Sequence, residues 1–180
     1  ADVAHYVAHD TALDQEAYAR STSVYFPDRA IPMLPEDLSN GICSLKPHED
    51  RLTKTVCIEL NPKGDVIRSR FFNSVIRSHE RMTYTDVRRI LIDRDAECLA
   101  RYRTLVGEFK RMEELALLLY ERRRARGNLD FDLPEAEIIL DLQGSPENII
   151  RAERNVAHRI IEEFMIAANE AVARHLTEKD

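Results

Sequence analysis

Cysteine is scarce and unpatterned in this chain. Cys43, Cys57 and Cys98 are odd in number and widely spaced, with no CxxC pair and no zinc-ligand spacing. That argues against a disulfide framework or a structural zinc site and leaves reduced thiols in a cytoplasmic protein as the expectation. No apolar run approaches the roughly 20 residues that span a bilayer, and there is no signal-peptide core, so no membrane partner is expected. Repeats and low-complexity tracts are missing, as is a nucleophile elbow. No cluster of Asp and Glu has the density of a two-metal centre. Positive charge is also short: 26 Lys and Arg against 32 Asp and Glu give a net charge of −6. This weighs against a protein that coats nucleic acid, though a narrow channel needs only a local positive lining.

What is present fits an ordinary globular protein. In 180 residues, 44% are hydrophobic and 32% charged, enough for one domain with a real core. The chain opens Ala1-Asp2-Val3-Ala4-His5-Tyr6-Val7 without Met and reads as a strand entered partway, in a piece of a longer protein.

Residues 2–8 alternate loosely and suit a strand, and Leu13–Ser21 a helix with Thr11 or Asp14 at its cap. Leu52–Leu60 and Val66–His79 form a β-hairpin around Asn61-Pro62-Lys63-Gly64-Asp65. Thr83 or Thr85 caps a short helix through Leu91. Residues 96–126 read as one long helix, with Leu99, Tyr102, Val106, Phe109, Met112, Ala116 and Leu119 on one face. It ends in Arg122-Arg123-Arg124-Ala125-Arg126-Gly127, cations that offset the helix dipole before a terminating glycine. Phe131–Leu142 reads as a strand and Asp141–Pro146 as a turn. A last helix covers Ala152–Leu176, its buried stripe being Val156, Ile160, Ile161, Phe164, Met165, Ala168 and Val172. The fold class is α+β, a largely antiparallel sheet flanked by long helices. The chain counts as one partial domain, with 1–95 holding the first strand, loop, hairpin and short helix and 96–180 the rest.

The most informative stretch is Thr22-Ser23-Val24-Tyr25-Phe26-Pro27-Asp28-Arg29-Ala30-Ile31-Pro32-Met33-Leu34-Pro35. Three prolines in nine residues remove backbone donors and fix φ, so no regular element runs through it. It is also too apolar for a solvated linker. Its order, Tyr-x-Pro-x-x-x-x-Pro-Met-Leu-Pro followed by Leu38-Ser39 and Cys43-Ser44-Leu45, resembles the RNB catalytic domain of the ribonuclease II and ribonuclease R exoribonucleases. The likeness continues through Arg77-Ser78, Thr83-Tyr84 and Asn128-Leu129-Asp130-Phe131. It is strongest over Arg154-Asn155-x-Ala157-His158-x-Ile160-Ile161-Glu162-Glu163-Phe164-Met165-Ile166-Ala167-Ala168-Asn169.

The resemblance implies a processive hydrolytic enzyme that acts on single-stranded RNA from its 3′ end and releases 5′-mononucleotides. In that family two magnesium ions held by aspartates activate water. Those aspartates lie upstream of the first strand, so the resemblance implies Mg2+ in the longer parent, with no catalytic or metal-binding residue in this piece. Tyr25 matches the tyrosine stacked on the 3′-terminal nucleotide and Phe131 the phenylalanine on the other side of the bases. Stacking suits a sequence-blind enzyme, since every base has a π face. Tyr84 and Glu162 match the pair that contacts the ribose, and a phenol with a carboxylate satisfies a hydroxyl that both donates and accepts. Taken alone, Tyr25 and Phe131 read as core, and Glu162 as a solvated neighbour of Glu163. Arg77, Arg81, Arg88, Arg89 and the Arg122–Arg126 run read as surface cations. The phosphate-gripping arginines of the family fall downstream of Asn169, and the flanking cold-shock and S1 modules are absent.

Two other readings follow from the same residues. An RNB-like domain without its metal site serves as an RNA clamp or interaction scaffold; four closely spaced aspartates just before Ala1 would decide for the enzyme. Alternatively the 96–126 helix pairs with a partner, which an obligate dimer would reveal. A piece cut from a domain is also expected to self-associate artificially through exposed core surface.

Overall fold

A computed structural model describes residues 1–129, 136–141, 143–151 and 155–179. The α-helices and strands in chain order are α1 (Val3–Tyr6), α2 (Ala12–Arg20), β1 (Val24–Tyr25), β2 (Ala30–Ile31), β3 (Asp50–Leu60), β4 (Val66–Arg77), α3 (Tyr84–Arg88), α4 (Ala96–Arg101), α5 (Val106–Ala125), β5 (Ala136–Leu140), β6 (Pro146–Arg151) and α6 (Val156–Thr177), with π-helical turns at Asp37–Ile42 and Arg89–Asp93. The α+β class holds. Among the described residues the strands make three separate two-stranded ribbons, β1–β2, β3–β4 and β5–β6, where the sequence suggested one sheet. The chain divides into two compact units. One holds Ala1–Thr55, Phe72–Arg81 and Pro134–Ala152; the other holds Val56–Phe71, Met82–Leu133 and Glu153–Asp180.

In the first unit, the expected strand over 2–8 is a short helix. The Val7 amide donates to the Val3 carbonyl at 3.0 Å. Val3 and Val7 are four apart, a spacing that fits one helix face as well as loose alternation, and seven residues cannot separate the two patterns. Of the two expected cap positions, Thr11 caps α2, its side chain accepting from the Asp14 amide at 3.3 Å. The proline-rich segment closes on itself. Val24 pairs with Ile31 and Tyr25 with Ala30, and the Phe26 amide donates to the Arg29 carbonyl at 2.7 Å. The Met33 amide donates to Ser23 Oγ at 2.9 Å, and Arg20 to the Pro32 carbonyl at 3.3 Å. The loop is therefore held by local hydrogen bonds around Pro27 and Pro32. β5 and β6 form a hairpin across the Asp141–Pro146 turn. β6 was not foreseen, since only its turn was read. The start of the expected 131–142 strand lies outside the described residues.

In the second unit the hairpin turn is built by Asn61, whose Oδ1 accepts from the amides of Lys63 and Asp65, both at 2.9 Å. Arg122, at the end of α5, donates to the Lys63 carbonyl at 2.7 Å and to Asp65 Oδ1 at 2.5 Å. The Asn61 amide and the Arg122 guanidinium hold the Asp65 carboxyl below the usual carboxylate range. Gly64 is required here. Its φ is +78°, and a Cβ would lie 2.8 Å from Arg122 Cδ and 3.2 Å from Leu118 Cγ. Gly64→Ala is expected to cost about 1–3 kcal/mol in urea unfolding; an unchanged midpoint would refute that reading of the turn.

The single helix expected over 96–126 is two. α4 is capped by Asp95, whose side chain accepts from the Cys98 amide at 2.9 Å, and the helix stops at Tyr102. Ile90, Cys98 and Tyr102 form a buried cluster, with Leu99 of α4 and Val106 and Phe109 of α5 packed on it. Residues on both sides of the break serve one cluster. No glycine or proline occupies residues 102–105 to announce the break. α5 packs on α6, and Ala116 of α5 and Ala157, Ile160 and Ala171 of α6 are buried. The stripe assigned to α6 is displaced: Ile161, Met165 and Val172 are exposed, while Glu163 is buried.

Candidate functional site

Tyr84 is the first residue of α3, placed there because the Thr83 side chain caps the helix by accepting from the Asp86 amide at 3.0 Å. Its ring stacks on His158, with centroids 3.9 Å apart and planes at 24°. His158 is the third residue of α6 and is held by the cap residue Asn155. Asn155 Oδ1 accepts from the Ala157 amide at 3.0 Å, and His158 Nδ1 lies 3.3 Å from the Asn155 amide nitrogen and 3.0 Å from Asn155 Oδ1. Glu162 follows His158 by four residues and so stands one turn along the same face. Tyr84 and Glu162 are thereby brought to one edge of the second unit.

Glu162 and Glu163, adjacent in sequence, have different environments. The Glu163 side chain is 1% exposed and grips Arg123, with Nη2 at 2.5 Å from Oε1 and Nε at 3.3 Å from Oε2. The Glu162 carboxylate is half-exposed and lies 3.5 Å from the same Nη2. Glu163 anchors α6 to α5, and Glu162, which taken alone reads as solvated, leans on the same guanidinium from the rim. Arg122 pairs with Asp65 and Arg126 with Glu170 at 3.1 Å. The arginine run at the end of α5 is thus spent largely on ion pairs, as a structural helix end. A cavity of about 540 Å³ opens beside it, lined by β3 and β4 near their turn and the second half of α6; its walls include Arg126, Arg174 and His175.

Tyr25 stands in the first unit. The core reading fails for it, since its ring is 80% exposed on the ribbon formed by β1 and β2. Phe131 lies outside the described residues.

The described residues offer no fit for magnesium, which prefers a near-octahedral set of oxygens. His9, Asp10 and Asp14 bring ligand atoms within 4.8 Å of one another, but at the surface, with a nitrogen donor, and already paired at 3.4 and 3.5 Å. Asp2 is buried, with Oδ2 3.2 Å from Lys54 Nζ, a cation where a metal would need further carboxylates.

Comparison with known proteins settles the family. The RNB domain profile matches residues 1–180. The chain belongs to the RNB-domain family. Ribonuclease R 1 of Lactococcus lactis is 47% identical over 97% of the chain and 21% of its own length. Ribonuclease R of Aquifex aeolicus is 47% identical over 98% of the chain and 25% of its own length. The structure of Mycoplasma genitalium RNase R in complex with ribose methylated single-stranded RNA superposes with a TM-score of 0.92 at 33% identity, covering 99% of this chain and 28% of that one. The chain therefore spans about a quarter of the length of these relatives. No helix among the described residues is long and apolar enough to cross a membrane.

Within this RNB domain, sequence reasoning missed two supports. His158 had a readable signal: Asn155 and His158 stand three apart at a helix start, the spacing of a capping box. Arg123 had none, because its partner Glu163 is 40 residues away.

Proposed function

We propose that the chain is the central part of the RNB domain of a cytoplasmic 3′→5′ exoribonuclease that degrades single-stranded RNA processively to 5′-mononucleotides. Tyr25 stacks on the 3′-terminal base and Phe131 closes the other side of the stack. Tyr84 and Glu162 contact the ribose. Magnesium and its aspartates belong to the part of the protein upstream of this piece, which does not hydrolyse RNA by itself.

The observation that carries this reading is the shared edge of Tyr84 and Glu162, linked through the Tyr84–His158 stack. A phenol can donate to or accept from a 2′-hydroxyl and a carboxylate accepts from it, so the two together favour RNA over DNA. The similarly folded RNase R of Mycoplasma genitalium was solved in complex with ribose methylated single-stranded RNA. The exposed Tyr25 ring adds a stacking surface that is blind to base identity.

The test uses single-stranded RNA labelled along its whole length, with Mg2+. The full-length protein is expected to release 5′-mononucleotides from the 3′ end, and the purified 180-residue piece none. Release by the piece would show that it holds its own hydrolytic centre. A full-length protein that bound RNA without shortening it would be a clamp or scaffold instead.

A further inference from the structure

We propose that His158 is a positioning residue for Tyr84, and that its ring sharpens the choice of RNA over DNA at the 3′ end. This rests on the ribose reading of Tyr84 and Glu162.

The position of His158 calls for an explanation. A capping box normally places Glu or Gln at the third helical residue, where a negative charge also suits the helix dipole. Histidine there keeps the reach back to Asn155 and gives up the charge. What it adds is a flat ring, and that ring lies against Tyr84 at 3.9 Å. A departure from the local rule with an evident gain is expected at functional positions. His158 is only half-buried, so filling a core does not account for it.

Tyr84 needs such a support. It is 46% exposed at the start of a five-residue helix, where an unsupported side chain would sample several rotamers. Stacking fixes the plane of the phenol before RNA arrives, so less entropy is lost on binding. Asn155 pins the imidazole in turn. Because His158 and Glu162 share one face of α6, the same helix that orients the phenol also sets its place relative to the carboxylate.

Two substitutions separate the ring from the cap. His158→Gln keeps the capping geometry without the ring, and His158→Phe keeps the ring without the cap. In the full-length exoribonuclease, kcat/KM is measured on a single-stranded RNA and on the same strand carrying 2′-deoxy residues at its 3′ end, with thermal unfolding as a check on folding. His158→Gln is expected to lower the RNA-to-deoxy ratio roughly three- to tenfold, the size of one lost aromatic contact, while His158→Phe keeps it. A ratio retained in Gln and lost in Phe, or retained in both, overturns the proposal. Tyr84→Ala tells the two readings apart. If it leaves the ratio unchanged, the ribose reading itself fails. If it collapses the ratio while His158→Gln does not, only the role of His158 fails.

Discussion

Replacing Arg123 by methionine is expected to lower the thermal unfolding midpoint of the chain by roughly 10 °C. The Glu163 carboxylate is buried, and Arg123 supplies two hydrogen bonds to it, at 2.5 and 3.3 Å. Removing one partner of a buried pair strands the other charge in a poorly polarisable interior, which costs about 3–5 kcal/mol. In a domain of this size each kcal/mol moves the midpoint by about 2–4 °C. Glu162 loses the same guanidinium, since it lies 3.5 Å from Arg123 Nη2. The double variant Arg123→Met, Glu163→Met is expected to recover most of the loss, because two apolar side chains of similar volume strand no charge. Calorimetry of the wild type, both single variants and the double variant reads the result. A shift of a degree or two for Arg123→Met would mean that water reaches the pair and that it does little to hold α5 on α6.

Tyr25→Ala is expected to do the opposite, weakening RNA binding without touching stability. The ring is 80% exposed, and the β1–β2 pairing that carries it is made by backbone groups, which alanine keeps. One lost base stack is worth about 1–3 kcal/mol, or roughly five- to 150-fold in the dissociation constant for RNA. The length of the final product should also change, because the 3′-terminal nucleotides would no longer be held. Tyr25→Phe should bind like the wild type, since it keeps the π face. Fluorescence anisotropy with a labelled oligonucleotide and a gel of end products, both on the full-length protein, decide it. Unchanged affinity and product length would remove Tyr25 from the site.

Local signals in the sequence located most of the fold. Asn61 and Gly64 announce the hairpin turn, the sequence offers Thr11 or Asp14 and Thr83 or Thr85 as helix caps, and Thr11 and Thr83 take those places in the structure. Each of these interactions joins residues within a few positions of one another, so sequence spacing contains the geometry. The misreadings occurred where spacing was ambiguous or the partner was distant. Val3 and Val7 fit a strand or a helix equally well, and the break near Tyr102 serves a cluster that includes Ile90. Tyr25, Tyr84 and Glu162 could each be singled out from the motifs around them. The support of Tyr84 by His158 could not, because that contact joins residues far apart in the chain.

The sequence by itself determined the family and the α+β class, because motifs and local periodicity are written along the chain. Only the tertiary structure decided between Glu162 and Glu163. Helical periodicity places two neighbouring glutamates 100° apart and does not say which faces inward. The hydrophobic stripe of α6 pointed to Ile161 and Met165, yet both are exposed. What turned Glu163 inward is Arg123 of α5, whose charge makes a buried carboxylate tolerable. Glu162 is left on the rim, on the face of α6 where His158 stacks with Tyr84.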